Sequence, residues 1–192
     1  MITVKVSKQP IWEVSITKWS IRTLSDKTLR YRLRVVVFRV TFVCTGNICR
    51  SPMAEHILRR RLEDAGLDVE VDSSGTQGWH IGKPADHRTI AALRRAGYTS
   101  AHSARQFRAL WFGRYDLIIA LDGGHLRDLR SMAPSEADRE KVRLLREFDP
   151  DADSPDVADP YYGGRADFEK CRDHIEAAAP GLVAEIKTRL TS

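Results

Sequence analysis

The stretch VCTGNICRSP contains the two residues of this chain that are best suited to joint chemistry, Cys44 and Arg50. The thiol follows an apolar segment and the guanidinium opens an amphipathic one, so we predict a strand before Cys44 and a helix from Arg50. Glycine and asparagine in the intervening turn tolerate positive φ, which lets successive backbone N–H groups face one concavity. This pattern predicts a cradle for a tetrahedral anion such as phosphate.

The positive charge of the predicted cradle would serve two purposes: it would bind phosphate and favour ionisation of the Cys44 thiol. The helix contributes its positive N-terminal end, and Arg50 can donate two parallel N–H···O bonds, which a lysine cannot. The same field favours the thiolate of Cys44, which is the nucleophilic form. A buried structural cysteine is the alternative, but it would leave Arg50 and Ser51 unexplained. We therefore expect Cys44 to attack phosphorus.

Attack of a thiolate on phosphorus requires a proton donor for the leaving oxygen, and a carboxylic acid on a mobile loop supplies one. The segment ADPYYGG offers Asp159, with Pro160 to stiffen the turn and Gly163 and Gly164 to allow movement. An acidic run, residues 149–156, precedes this segment. Residue types alone do not distinguish Asp159 from those neighbouring acids.

The sequence offers little support for other classes of site. Cys44 and Cys49 have no second Cys/His pair at zinc-finger spacing, so we expect no metal. No Gly-rich loop with Lys-Ser/Thr is present, which argues against an NTPase cradle. Three cysteines do not form a disulfide framework and fit a reducing cytoplasm. No run approaches the ~18 apolar residues of a membrane span. The first 30 residues lack an apolar core and a small-residue cleavage site, so we expect no secretory signal.

The net charge of +5 is concentrated near the N-terminus. Residues 1–40 hold nine of the 31 basic residues and two of the 26 acidic ones, which leaves 22 basic and 24 acidic residues for the remainder. The remainder is therefore close to neutral, so we expect no nucleic-acid partner and interpret the basic arm as a solvated extension.

Apolar runs alternate with amphipathic segments from Val40 onward. The segments VVVFRVTFV, VEVDSSG, YDLIIALD and VRLL read as strands, and helical patterns lie between them. The C-terminal stretch predicts either a helix pair or one helix broken at Pro180. This alternation predicts an α/β fold with a parallel sheet and helices on both faces. Ligands bind at the carboxyl ends of such strands, where we expect Cys44, Ser73 and Asp122.

The motifs VCTGNICRSPMAE and DPYYGG together resemble those of the low-molecular-weight protein tyrosine phosphatases, and the likeness runs from about Arg39 to the C-terminus. Further agreement lies in VDSSGTQGWHIG, HSARQ, ALD and EFDP. The resemblance implies a four-stranded parallel twisted sheet in a flavodoxin-like three-layer arrangement. It also implies hydrolysis of phosphotyrosine in protein substrates through a cysteinyl-phosphate, with no metal and no cofactor.

The resemblance also implies a role for each matching residue. Cys44 would be the nucleophile, Arg50 the phosphate clamp, Asp159 the general acid and then the general base, and Ser51 a hydrogen-bond partner of the thiolate. The other members of the site fall into three groups: the phosphate-binding turn of Thr45, Gly46, Asn47, Ile48 and Cys49; the cleft walls of Trp79, Tyr161 and Tyr162; and the loop supports Ser73 and His102, which act with Asn47.

Aromatic walls suit a phenyl ring, because the ring gains contact area on both faces. Core packing is the alternative for Trp79, although GTQGWHIG is a polar loop, and His102 could be an ordinary loop histidine. Phe107 and Trp111 read as core residues. Relatives with threonine in place of Ile48 favour phosphoarginine, so Ile48 favours phosphotyrosine.

Two other functions remain open from the sequence: a thioredoxin-coupled arsenate reductase, which needs further cysteines, and a non-catalytic phosphotyrosine-binding module. Cys49 shares the tight turn with Cys44, so it could trap an oxidised nucleophile as a disulfide or simply pack as a small apolar residue.

The predicted domain organisation is an N-terminal extension, residues 1–37, followed by a phosphatase domain, residues 38–192. The extension is either disordered or the product of a start codon assigned too far upstream, although IWEVSITKW alternates like an added edge strand. We expect a monomer.

Overall fold

The structure is a computed structural model that describes residues 37–191. The extension predicted for residues 1–37, including the alternating segment IWEVSITKW, lies outside the described residues except for its last position.

Strands and helices alternate along the described chain, as the sequence pattern predicts. The strands are β1 (Phe38–Cys44), β2 (Val69–Gly75), β3 (Leu117–Ala120) and β4 (Val142–Leu144). The α-helices are α1 (Arg50–Asp64), α2 (His87–Arg95), α3 (Gly123–Met132), α4 (Glu136–Glu140) and α5 (Arg165–Thr191). Two 3₁₀-helices, Ala109–Arg114 and Leu145–Phe148, and the short helix α4 have no counterpart in the prediction.

The four strands form one parallel sheet in the order β2-β1-β3-β4. In its register Cys44 lies opposite Gly75, and Val43 lies opposite Ala120. The carboxyl ends of the three neighbouring strands therefore meet at one edge, where ligand sites of such sheets are found. The predicted parallel sheet is confirmed.

Side chains of the central strands alternate between two apolar clusters, one on each face of the sheet. Val40 and Phe42 pack into a cluster with Ile57 of α1 and Ile175 of α5. Val43 packs into the other cluster, which includes Leu129 of α3 and also Phe107. Burial on both faces explains why β3 is apolar throughout. The three-layer prediction and the core position of Phe107 are confirmed.

The predicted interruption at Pro180 is wrong, because α5 continues through this residue as a single helix. The neighbouring Gly181 explains part of the local packing: a Cβ atom there would lie 2.1 Å from the carbonyl oxygen of Phe148. Glycine thus lets α5 approach the second 3₁₀-helix closely. Among residues 37–191, no helix is long and apolar enough to cross a membrane.

Candidate active site

A tight loop joins β1 to α1 and curls at the carboxyl edge of the sheet. Asn47 adopts φ +56°, the only positive value of a non-glycine residue in the described chain. Gly75 of β2 backs this loop, and a Cβ atom there would lie 2.5 Å from the carbonyl oxygen of Thr45. The N–H of Thr76 donates to the carbonyl of Cys44 at 2.8 Å. We call residues 44–50 the phosphate loop.

The thiol of Cys44 is buried at the base of this loop, with Sγ 3.0 Å from Oγ of Ser51. The Ser51 hydroxyl also lies 3.2 Å from the carbonyl of Ser74, to which it can donate. It accepts a hydrogen bond from Nδ2 of Asn47 at 2.9 Å. Because the hydroxyl has a single proton, it can turn that proton to Sγ when the sulfur is a thiolate. This is the geometry required for the role that the resemblance implies.

The guanidinium of Arg50 is buried and bridges three parts of the fold. Nη1 donates to Oδ2 of Asp122 at 2.7 Å and to the carbonyl of Val157 at 3.2 Å. Nη2 donates to Oδ2 of Asp159 at 2.8 Å and lies 3.4 Å from Oγ1 of Thr45. Burial lowers the pKa of Arg50, but Cys44 and Asp159 outweigh it and leave this pKa raised. The side chain is therefore a permanent cation.

Asp122 and His125 hold Arg50 and the phosphate loop from the N-terminus of α3. Asp122 accepts the N–H of His125 at 2.8 Å, and Nε2 of His125 lies 2.9 Å from Oγ1 of Thr45. Burial raises the pKa of Asp122, but the His125 N–H and the Arg50 guanidinium leave it lowered. Burial lowers the pKa of His125 and outweighs the attraction of Asp122. Sequence reasoning missed His125, whose only signal was its position after a strand end.

The side chain of Asn47 is the hub that fixes the shape of the loop. Its Nδ2 donates to Ser51 and to Oγ of Ser73, both at 2.9 Å. Its Oδ1 accepts the N–H of Arg105 at 2.8 Å, and its carbonyl accepts a bond from Nε2 of His102 at 2.7 Å. The structure thus brings both predicted loop supports into contact with Asn47.

Glu55 lies behind the two loop supports and was not identified from the sequence. Oγ of Ser73 donates to Oε2 of Glu55 at 2.6 Å, and Nδ1 of His102 lies 3.8 Å from the same oxygen. Burial lowers the pKa of His102 although the Asn47 carbonyl and Glu55 act to raise it. The available signal in the sequence was a glutamate among the mostly apolar residues of PMAEHIL.

A cleft of about 300 Å³ opens over the phosphate loop. Most of the predicted site residues line it: Cys44, Thr45, Gly46, Ile48, Cys49, Arg50, Trp79, Asp159, Tyr161 and Tyr162. His80, which the sequence did not single out, joins them, and a Cβ atom on Gly46 would lie 2.9 Å from its Cδ2. Trp79 is 70% exposed and Tyr162 is 97% exposed, so neither is a core residue.

The structure separates Asp159 from the acidic residues that precede it. Asp149 and Asp153 pair with the buried guanidinium of Arg146, outside the cleft. Asp156 accepts the N–H of Gly123 at 2.8 Å. Asp159 alone of the segment 149–159 lines the cleft, and its side chain is 46% exposed. Tertiary contacts thus supply the distinction that residue types could not.

The three cysteines are unpaired and buried. Burial raises the pKa of Cys49 to about 12, with further contributions from Asp86 and Cys44. Burial also raises the pKa of Cys171, on α5. Both side chains are therefore neutral thiols at physiological pH. Among residues 37–191, no group of three or more His, Cys, Asp and Glu side chains is arranged to hold a metal ion.

Comparison with known proteins identifies relatives of this chain and its fold. The family model for low molecular weight phosphotyrosine protein phosphatase matches residues 39–192. The low molecular weight protein-tyrosine-phosphatase of Streptomyces coelicolor is 57% identical over 159 residues, which cover 81% of this chain and 97% of that protein. The low molecular weight protein-tyrosine phosphatase A of Mycobacterium bovis is 46% identical over 155 residues, covering 79% and 93%.

A solved structure shows the same architecture. The chain is similar to a protein tyrosine phosphatase from Entamoeba histolytica, crystallised with Hepes in the active site, with a TM-score of 0.76 and 30% identity. The match covers 79% of this chain and 97% of that one.

Proposed function

Since this chain belongs to the low molecular weight phosphotyrosine protein phosphatase family, a family of hydrolases, we propose that it hydrolyses protein phosphotyrosine through a cysteinyl-phosphate, without a metal ion. One observation carries the proposal: a buried thiol, a buried guanidinium and a half-exposed carboxylate line a single cleft above a loop of inward-curled backbone. A nucleophile, a charge clamp and a proton donor are the groups that phosphoryl transfer to sulfur requires.

In the first step the Cys44 thiolate attacks phosphorus as the S–P bond forms and the bond from phosphorus to the tyrosine oxygen breaks. Asp159 donates its proton to that oxygen, so tyrosine leaves neutral. Arg50 and the backbone N–H groups of the loop stabilise the charge on the equatorial oxygens of the transferring group. The product is phosphorylated Cys44 and an ionised Asp159.

In the second step a water molecule attacks the same phosphorus from the side that tyrosine left. Asp159 accepts a proton from this water, the S–P bond breaks, and inorganic phosphate and the Cys44 thiolate are released. The Ser51 hydroxyl, 3.0 Å from Sγ, stabilises the departing thiolate by donating its proton in a hydrogen bond.

The aromatic rim supports an aryl phosphate as the substrate. Trp79, Tyr161 and Tyr162 line the cleft above the thiol, and their rings can pack against the phenyl ring of phosphotyrosine. Ile48, which also lines the cleft, presents an apolar side chain where a guanidinium group would need polar partners. We therefore propose phosphotyrosine rather than phosphoarginine as the modified residue.

We propose that the protein acts as a monomer, since the thiol, the guanidinium and the carboxylate that the mechanism requires all line one cleft of this chain. The three unpaired cysteines support a reducing compartment such as the cytoplasm.

Hydrolysis of p-nitrophenyl phosphate in excess chelator tests the proposal. We expect full activity without divalent metal, inhibition by vanadate, and preference for phosphotyrosine peptides over phosphoarginine and phosphoserine peptides. Arsenate reduction coupled to thioredoxin, or peptide binding without turnover, would instead identify the alternative functions. A rate that depends on added metal would overturn the mechanism.

A further inference from the structure

Arg88, in the first turn of α2, is held in one orientation by Asp86. Nε of Arg88 donates to Oδ1 of Asp86 at 3.0 Å, and Nη2 donates to Oδ2 at 2.9 Å. The same carboxylate caps the helix by accepting the backbone N–H of Arg88 at 2.8 Å. These hydrogen bonds lower the pKa of Asp86 and raise the pKa of Arg88. Such a two-pronged ion pair fixes the plane of the guanidinium.

The remaining nitrogen of this guanidinium faces the segment that carries Asp159, residues 159–164, which we call the acid loop. Nη1 donates to the carbonyl of Gly163 at 3.0 Å. The guanidinium carbon lies 5.8 Å from the ring centre of Tyr161 and 4.6 Å from that of Phe168. Cations over aromatic rings are attracted at these distances. Arg88 therefore contacts the acid loop, its aromatic wall and the start of α5.

Asp86 connects the same ion pair to the phosphate loop. Its backbone N–H donates to the carbonyl of Ile48 at 2.8 Å. An unbroken series of contacts thus runs from Ile48 through Asp86 and Arg88 to Gly163. This series does not involve the hydrogen bond between Arg50 and Asp159. A bound phosphate group would compete with Asp159 for the Arg50 guanidinium, but it would leave this series intact.

The end of the acid loop is more constrained than its two glycines predict. A Cβ atom on Gly163 would lie 2.3 Å from Oδ2 of Asp167, and the N–H of Gly164 donates to that oxygen at 2.7 Å. The N–H of Gly163 also donates to the carbonyl of Pro160 at 2.9 Å, which closes a turn. Within this turn the N–H of Tyr161 donates to Oδ1 of Asp159 at 3.2 Å, so the position of the turn also determines that of the Asp159 side chain.

We propose that Arg88 is a positioning residue of the reaction: it fixes the acid loop, and with it Asp159 and Tyr161, relative to the phosphate loop. The inference rests on the proposed phosphatase function. Arg88 does not line the cleft that holds the reacting atoms, so it can act only through the groups that it positions. We therefore expect replacement of Arg88 to impair mainly proton donation by Asp159.

The test compares kcat/KM for phenyl phosphate with kcat/KM for p-nitrophenyl phosphate. Phenolate is a poor leaving group that depends on a proton donor, whereas p-nitrophenolate is a good leaving group that depends on one much less. We expect Arg88→Gln to reduce the phenyl phosphate value at least about tenfold more than the other, within the range of a general acid's contribution. Arg88→Lys, which keeps the charge and most of the packing, should show a smaller defect of the same kind because lysine lacks the fork.

Two controls separate positioning from folding. Arg95→Gln, on the same helix, removes an ion pair to Glu169 of α5 and should leave the ratio of the two kcat/KM values unchanged. In an Asp159→Asn protein, Arg88→Gln should add little, since the donor it positions is gone. Equal losses for both esters, or an undiminished loss in the Asp159→Asn background, would overturn the inference. If the parent protein hydrolyses neither ester, the proposed function itself fails.

Discussion

Nη2 of Arg50 donates a hydrogen bond to Oδ2 of Asp159 at 2.8 Å, so the proposed phosphate clamp and the proposed general acid are bonded to each other. Asp122 holds the other terminal nitrogen of the same guanidinium at 2.7 Å. A phosphate group that binds Arg50 therefore competes with Asp159, whereas Asp122 can keep the guanidinium oriented. Release of Asp159 on binding would also free its carboxyl group to reach the leaving oxygen.

We expect Asp159→Ala to bind inorganic phosphate up to about fivefold more tightly than the parent protein. Half-exposed ion pairs contribute ~0.2–1 kcal/mol, and ~1 kcal/mol corresponds to about fivefold in affinity. Inhibition constants or calorimetry would measure the change. Asp156→Ala is the matched control, because Asp156 bonds to Gly123 and does not line the cleft. Weaker phosphate binding by Asp159→Ala would argue against the competition.

Replacement of Arg50 by lysine should reduce kcat/KM by about 10²-fold or more, the usual effect of removing one preorganised donor to a developing anion. Lysine retains a charge but cannot span Asp122, Val157 and the phosphate group with a planar fork. Arg39→Lys, at the exposed start of β1, should leave the rate unchanged. Activity of Arg50→Lys close to that of the parent would exclude the bidentate clamp.

Asn47 offers a way to separate backbone strain from hydrogen bonding in the phosphate loop. Asn47→Ala loses the hydrogen bonds to Ser51 and Ser73. It also keeps a Cβ atom at φ +56°, where alanine is sterically disfavoured. Asn47→Gly loses the same bonds without that steric cost. We expect the alanine protein to be less stable than the glycine protein by about 1 kcal/mol in free energy of unfolding. Equal stability of the two variants would show that the loop relaxes in the alanine protein.

The placement of Cys44 and Arg50 at the two ends of one short loop could be predicted from the sequence, because turn residues and helix signals act locally. The supports of that loop could not be derived this way. Glu55 and Arg105 act through contacts with Ser73 and Asn47 that only the folded sheet creates.

Asp159 illustrates the same limit. Several aspartates precede it in the sequence, and only tertiary packing shows that Asp159, and none of those, lines the cleft. Pro180 shows the converse case. The tendency of proline to break helices predicted an interruption at this residue. Instead α5 continues through it, and Ile175 and Leu182 on either side are buried in the core.

Cys49 should protect the nucleophile against irreversible oxidation. Peroxide converts the Cys44 thiolate to a sulfenic acid, and the Cys49 thiol can then condense with it to form a disulfide and release water. We expect dithiothreitol to restore the peroxide-treated parent protein and the Cys171→Ser control, but not Cys49→Ser, in which further peroxide oxidises the untrapped sulfenic acid to an irreversible sulfinic acid. The initial activity of Cys49→Ser should stay within a few-fold of the parent. Full recovery of Cys49→Ser would mean that Cys49 only packs behind the loop.

The most direct measurement of the central claim is mass spectrometry of protein that is quenched in acid during turnover of p-nitrophenyl phosphate. In Asp159→Ala the good leaving group permits the first step, while hydrolysis of the intermediate lacks its general base. We predict that one phosphoryl group accumulates on the peptide that contains Cys44, and that Cys44→Ser is inactive. Steady turnover by the parent protein with phosphate on another residue, or continued turnover by Cys44→Ser, would contradict the account.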